Sequence, residues 1–342
     1  MVGVVDVGVT IKDLAREAEV SITTVSRVLN NKPGVSAATR EKIRRLVKIM
    51  GYNPNSIARG LVLNQTFLIG LIIPDIRNPF FPEMARGVED RARELGYSLI
   101  YYNTDKNREE ERKAFDLLLS KQVDGVILSF FSWSIKKTLL KLNKIQYPVV
   151  RVDSNLKKSI YPSVIIDSIS SAYQATEYLI KMGHQKIGHI TGRITSRTAR
   201  HYLIGYKNCL RDYQLAFHKQ WLVRGDFEHQ SGYQQMKELL RQQDKPTAVF
   251  IANDIMAFGA YKAIAEMGYT IPDDISIIAH DDIELSSYLI PGLTTMYTPK
   301  YRLGIILADL LIKQIKNKNR AEIDDVVLKS TLVERGSVKR LR

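Results

Sequence analysis

Residues 10–31 read TIKDLAREAEVSITTVSRVLNN. Ile11, Leu14, Ala15 and Ala18 recur at helical spacing. Val20-Ser21 breaks the pattern, and Ile22–Leu29 resumes it with Val25, Val28 and Leu29 on one side. Thr10 has the side chain of an N-cap, and Asp13 stands three residues on, where a capping box usually carries Glu or Gln. Two helices joined by so short a break need a small residue where they cross, and Ala15 supplies it. Leu14, Val20, Val25 and Val28 give the inner faces. Glu19 falls at the turn, where a residue tolerant of positive φ is favoured, and glutamate is a poor fit there. Asn30-Asn31-Lys32-Pro33-Gly34 is a loop by composition. Ser36 caps a third helix carrying Ile43, Leu46, Val47 and Met50, which Gly51 ends. Three such helices enclose a very small core.

With the apolar side inward, the second helix turns Ile22, Thr23, Ser26 and Arg27 outward. Those side chains suit the major groove of duplex DNA. Arginine bonds guanine in a bidentate way, hydroxyls reach bases or phosphates, and isoleucine touches a thymine methyl. Ser21 and the helix N-terminus suit a phosphate. A helical hairpin with a polar outer face, of the kind many enzymes contain, fits the same periodicity.

Outward from this unit the chain changes character. Pro54 marks a boundary, and Asn55–Leu63 has moderate helix propensity but is too short to be stable alone in water. From Phe67 onward, apolar runs of strand length alternate with amphipathic helices. The runs are Leu68–Ile73, Ser98–Tyr102, Gly125–Ser129, Val149–Asp153, Val164–Ile166, Ile187–Thr191, Ala248–Ala252 and Ile275–Ala279. Between them lie helices such as Phe81–Leu95, Glu109–Lys121, Ile169–Met182, Ser231–Arg241 and Ile255–Met267. That alternation indicates parallel sheets covered on both faces. Two doubly wound lobes suit it better than one, and a (β/α)₈ barrel is the alternative of similar length.

The 342 residues are enough for two or three domains. The net charge of +14 favours a polyanionic partner. Residues 1–66 hold ten Lys/Arg against five Asp/Glu, about twice the net positive charge per residue of the rest. The one cysteine, Cys209, excludes a disulfide framework within the chain and a cysteine zinc cluster. No apolar run approaches the ~18–20 residues of a membrane helix. The first nine residues lack a basic stretch and carry Asp6, unlike an export signal, so a cytoplasmic chain is expected.

Taken together, these motifs resemble the lactose-repressor family of bacterial transcription regulators across nearly the whole chain. TIKDLAREAEVSITTVSRVLNN is close to the family's DNA-reading signature, and KPGVSAATREKI and GYNPNSIARGL continue it. The body carries GLIIPDIRNPFFPEMARGVE, QVDGVIL, GHQKIGHITG, PTAVFIANDIMAFGA and PDDISIIAHDDIELSSYLIPGLTT in the right order. The resemblance implies a small all-α helix-turn-helix domain plus an α/β two-lobed core with parallel doubly wound sheets, similar to periplasmic binding proteins. The expected division is a headpiece over 1–52, a hinge helix and linker over 53–66, and a core over 67–342. Lobe one takes about 67–165 and 297–325, and lobe two about 166–296 and 326–342. DNA contacts are implied at Thr10, Ser21, Ile22, Thr23, Thr24, Ser26, Arg27 and Asn30, and in the hinge at Asn55, Ala58 and Leu61. Leu61 would wedge between base pairs in the minor groove, an apolar insertion that offsets unstacking by bending DNA onto more protein. A flexible linker with Leu61 packed on the core is the plainer alternative.

In two-lobed α/β proteins a ligand sits between the lobes at the carboxyl ends of strands. Phe80, Phe81, Asp153, Asn253, Asp254 and Asp281 follow or end expected strands, and Phe227 sits in GDFEHQSGY. Aromatic faces with carboxylates and amides suit a sugar, whose C–H face stacks while its hydroxyls pair. Each acid also reads as a helix cap, Asp254 above all. The family often has an arginine three residues before a glycine-aromatic pair. Here that slot holds Tyr202, before Gly205-Tyr206, leaving Arg197 and Arg200 as substitutes. Ala279-His280 stands where a glycine-aromatic pair commonly precedes the aspartate, and His280 reads either as lining the cleft or as a structural histidine.

There is no glycine-rich phosphate loop, nucleophile elbow or HExxH, and the six histidines show no metal-ligand spacing. The expectation is a homodimeric, DNA-binding transcriptional repressor controlled by a small metabolite, a sugar or sugar derivative, with no enzyme activity, cofactor or metal. Its operator would be near-palindromic. A transport-type sugar-binding protein and an effector-independent architectural DNA-binding protein are the alternatives.

Overall fold

A computed structural model describes residues 9–29, 31–52, 65–129, 136–153, 161–317 and 324–341. Two compact units emerge, residues 1–66 and 67–342. In the first, α1 (Ile11–Ala18), α2 (Ile22–Leu29) and α3 (Ala37–Ile49) pack around Leu14, Ala15, Ala18, Val25, Val28 and Ile43. Aspartate completes the capping box at α1. The Asp13 N–H donates to Thr10 Oγ1 at 3.4 Å and the Thr10 N–H donates to Asp13 Oδ2 at 3.0 Å. Glu19 takes the left-handed conformation at φ 53°, unfavourable for its side chain. Ser21 and Ser36 cap α2 and α3, accepting from the N–H groups of Thr24 and Thr39.

The second unit runs β1 (Leu68–Ile73), α4 (Phe80–Glu94), β2 (Ser98–Asn103), α5 (Arg108–Ser120), β3 (Gly125–Ser129), α6 (Lys136–Lys144), β4 (Val149–Asp153) and β5 (Ser163–Ile166). It continues with α7 (Ser168–Lys181), β6 (Ile187–Thr191), α8 (Arg197–Asp212), β7 (Leu222–Arg224), α9 (His229–Leu240), β8 (Ala248–Ile251), α10 (Asp254–Glu266), β9 (Ser276–Asp281) and β10 (Thr294–Tyr297). Last come α11 (Lys300–Lys316), β11 (Val326–Leu328) and β12 (Thr331–Val333). Two six-stranded sheets form, ordered β11-β5-β4-β3-β1-β2 and β12-β10-β9-β8-β6-β7. Pairing is parallel throughout except between β10 and β12. These are two open doubly wound sheets, not a barrel. In each, the order reverses beside its first strand, between β1 and β3 and between β6 and β8. Such reversals leave a crevice at the carboxyl ends.

The lobe division differs from expectation at its edges. Ile166 ends β5 in the first sheet, and Val326–Leu328 also joins that sheet beside β5. Thr294–Tyr297 belongs to the second sheet, whereas α11 packs Leu303, Leu307 and Leu311 into the first lobe's core. The chain therefore crosses between lobes near Asp167, near Thr298 and near Ser330. Three-residue strands such as β7, β11 and β12 carry too little periodicity to be read locally, because their pairing partners are distant in sequence.

Candidate DNA interface and ligand cleft

On α2, the packing of Val25 and Val28 leaves Thr23 and Arg27 exposed, Ser26 half-buried and Ile22 45% exposed. Thr23 and Arg27 face away from the three-helix core and Ile22 and Ser26 flank them, which leaves all four accessible to a groove. Thr10 and Ser21 are exposed, each engaged in a cap, and the Thr24 hydroxyl lies 2.9 Å from that of Ser21. Asn30, Asn55, Ala58 and Leu61 lie outside the described residues.

In the second unit a cleft of about 620 Å³ opens between the sheets at the carboxyl ends of their strands. Phe80 and Phe81 open α4 on one wall, with ring centroids 5.3 Å apart, nearly edge to face. Phe227 stands on the other wall at φ 73°. Its ring lies against Gly192, where a Cβ would come within 2.1 Å of the ring. Glycine is required there so that the ring can lie flat on the backbone. Asp153, Arg197, Tyr202, Asn253 and Asp281 line the same cavity. Arg197 donates to Asp153 at 2.9 Å. Asn253 divides its amide, Oδ1 accepting from the Met256 N–H to cap α10 and Nδ2 donating to the Phe227 carbonyl at 3.2 Å. Tyr202 is buried among apolar residues and beside Asp281, which pushes its phenol well above the usual range.

Two expected residues do not line the cleft. Asp254 is fully buried. It accepts from the Ile283 N–H at 2.9 Å, from Ser286 Oγ at 2.7 Å and from Thr295 Oγ1 at 2.6 Å. The cap of α10 is Asn253, so Asp254 is the first residue inside the helix and its carboxyl turns back onto the β9–β10 segment. Arg200 is exposed and donates to the carbonyls of Ile194 and Thr195, bracing the loop before α8.

Several cleft residues were not expected. Arg151, Arg193, Lys106 and Glu111 line the cleft, and so does His280, which the sequence offers as a candidate. Arg151 had a readable signal. It interrupts the apolar strand VVRVD and stands two residues before Asp153, on the same strand face. The others needed the sheet order. His280 is almost wholly buried, with Nε2 2.8 Å from Ser171 Oγ and Nδ1 3.2 Å from Asp281 Oδ1. Lys106 pairs across the cleft with Glu228, and lies 3.4 Å from Asp75.

A groove-facing helical unit and a two-lobed binding core on one chain define a ligand-responsive DNA-binding regulator. Residues 10–55 match the family model described as bacterial regulatory proteins, lacI family. Residues 66–335 match that of periplasmic binding proteins and the sugar-binding domain of the LacI family. The chain belongs to the LacI family. It is 37% identical to catabolite control protein A of Priestia megaterium over 97% of this chain and 99% of that protein. It is 38% identical to the ribose operon repressor of Haemophilus influenzae, again over 97% and 99%. The lac repressor dimer bound to operator and the anti-inducer ONPF superposes with a TM-score of 0.87 at 31% identity, covering 97% of this chain and 99% of that one. A LacI-family regulator from Enterococcus faecium with bound ribose gives 0.71 at 31% identity, over 80% of this chain and all of that one. The protein is thus a DNA-binding transcriptional repressor with an effector-controlled core, and its relatives are repressors, not enzymes. Among the described residues no helix is long and apolar enough to cross a membrane.

Proposed function

We propose that the protein acts in the cytoplasm as a homodimer that sets α2 of each copy into the major groove of a near-palindromic operator. A sugar or sugar derivative held between the lobes controls its affinity for that site. The observation that carries this reading is the cleft itself. It sets phenylalanine rings on both walls around Asp153, Asn253 and Asp281, a pairing of apolar faces with planar hydrogen-bonding groups that suits a pyranose or furanose. Arg27, Ser26, Thr23 and Ile22 read bases, while Thr10, Ser21, Thr24 and Asn30 position the backbone. Asn55, Ala58 and Leu61 engage the minor groove at the operator centre. Filling the cleft changes the angle between lobes and so the spacing at which two copies present their reading helices. A coupling of about 1–3 kcal/mol changes operator affinity roughly 5- to 150-fold.

The test is to select a preferred duplex from a random pool and measure binding by fluorescence anisotropy against a scrambled duplex at fixed salt, with and without a panel of sugars. Equal affinity for both duplexes would favour an architectural protein. A panel that leaves affinity unaltered removes the sugar from the reading.

A further inference from the structure

The three places where the chain crosses between lobes converge on one side chain. His280 Nε2 lies 2.8 Å from Ser171 Oγ, in the first turn of α7 just past the Asp167 crossing. The same nitrogen lies 3.4 Å from Ser330 Oγ, at the third crossing. Ser330 Oγ in turn lies 3.2 Å from Thr298 Oγ1, at the second. On the other edge of the ring, Nδ1 lies 3.2 Å from Oδ1 of Asp281, a residue that lines the cleft. His280, Ser171, Thr298 and Ser330 are all buried, and the Tyr202 ring packs on His280 with centroids 4.8 Å apart.

The partners assign the hydrogens. The Asp281 carboxylate accepts, so Nδ1–H donates to it. In the neutral ring Nε2 is then an acceptor, and the Ser171 hydroxyl donates to it. The backbone of Asp281 is gripped from the second crossing as well. It sits at φ 114° and Asp282 at φ 52°, conformations unfavourable for residues other than glycine. Lys300, the first residue of α11, donates from Nζ to the carbonyls of Asp281 at 2.8 Å, Asp282 at 2.9 Å and Thr298 at 3.3 Å. Buried hydrogen-bond networks of this kind are rigid, because a broken link leaves a polar group unpaired away from water. A displacement of the Asp281 carboxylate is therefore not absorbed locally. It passes through the imidazole to hydroxyls at all three crossings.

On the reading proposed above, in which a ligand between the lobes controls operator affinity, we propose that His280 is a positioning residue for that control. It fixes the Asp281 carboxylate for the ligand and carries movement of that carboxylate to the three crossings, about which the lobes turn. Small shifts at a ligand site become domain rotation when the hinge segments are obliged to move together.

The experiment uses the full chain and three variants. H280F keeps a ring against Tyr202 and removes both nitrogens. H280N sets an amide N–H near the place of Nδ1 but no longer reaches Ser171 or Ser330. S171A/S330A leaves His280 and Asp281 as they are. Calorimetry with D-glucose, D-ribose and D-fructose gives sugar affinity, and anisotropy on the selected duplex with and without each sugar gives the coupling ratio. S171A/S330A should hold sugar affinity within about twofold of the wild type and cut the coupling ratio roughly fivefold. H280F should lose roughly tenfold in sugar affinity, the worth of one hydrogen bond to a charged group, and lose coupling too. H280N should regain most of that affinity and none of the coupling. An unchanged coupling ratio in S171A/S330A and H280N, whatever their melting temperatures, would make His280 a packing residue and overturn the proposal.

Hydrogen exchange on the sugar-free chain reads the relay by itself. H280N should speed exchange several-fold in segments 166–171, 297–301 and 328–331 together. Should no sugar alter operator affinity in the wild type, the reading above fails and exchange alone decides the relay, which an unaltered rate at any one of the three crossings would overturn.

Discussion

Arg197, the first residue of α8 in the second lobe, donates to Asp153, the last residue of β4 in the first lobe, at 2.9 Å. The lobes are therefore tied by an ion pair that lines the cleft. A second tie, Lys106 to Glu228, joins the loop after β2 to the cap of α9. Both ties lie at carboxyl ends of strands, where closure of one lobe on the other brings opposite charges together.

Replacing Asp153 by Asn should destabilise the core by about 3 kcal/mol, because Arg151 would stay buried beside Arg197 without their shared carboxylate. Differential scanning calorimetry of the ligand-free variant should show a fall of several degrees. An unchanged melting temperature would mean that other groups, Asp325 beside Arg151 among them, compensate these arginines.

Gly192→Ala tests the seat of Phe227. The added methyl would meet the ring at 2.1 Å, so the ring must swing away from the backbone and into the cavity. Effector affinity measured by calorimetry should drop roughly tenfold or more, since a stacking face is displaced. Retained affinity would place the ligand away from Phe227.

Asp254 and His189 carry opposite pH signatures. Burial, helped by nearby Asp281, pushes Asp254 from 3.8 up to about 7 against the hydrogen bonds from Thr295, Ser286 and Ile283. Burial pushes His189 from 6.5 down to about 4, against its bond to the Phe250 carbonyl. Between about pH 4 and 7 folded Asp254 keeps a proton that the unfolded chain releases, so its contribution falls as pH rises. Between about pH 4 and 6.5 unfolded His189 takes up a proton that the folded chain refuses, so its contribution falls as pH drops. The two oppose each other over the same window. Asp254→Asn leaves the histidine alone, and urea titrations should then show stability rising with pH more steeply than in the wild type. Parallel curves would show that Asp254 is ionised in the fold.

Arg27→Ala removes an exposed side chain, so headpiece stability should hardly change. Affinity for the selected operator should fall by about 1–3 kcal/mol, the worth of a bidentate base contact. Affinity for scrambled DNA should fall far less. Equal losses on both duplexes, in anisotropy at one salt concentration, would make Arg27 a phosphate contact.

Much of this was legible along the chain. The three helices of residues 10–50 follow from spacing and from the caps Thr10 and Ser36, which satisfy orphan N–H groups locally; that Ser21 caps the second helix emerged from the structure. The apolar runs of β1 to β6, β8 and β9 announce themselves for the same reason, and strand ends placed Phe80, Asp153, Asn253 and Asp281 at the cleft. The direction of individual side chains was decided elsewhere. Asn253 and Asp254 are adjacent and chemically alike, yet one faces the cavity and the other is sealed behind it, because the helix begins between them. Arg197 and Arg200 are one turn apart, yet only the first meets a partner on the other lobe. Local sequence determined which segments are helix and strand, since those choices rest on neighbouring residues. The order of the strands, the three crossings between lobes and the charges that gather in the cleft were decided only by tertiary structure, since they join residues such as Arg151 and Arg197 whose meeting no local spacing encodes.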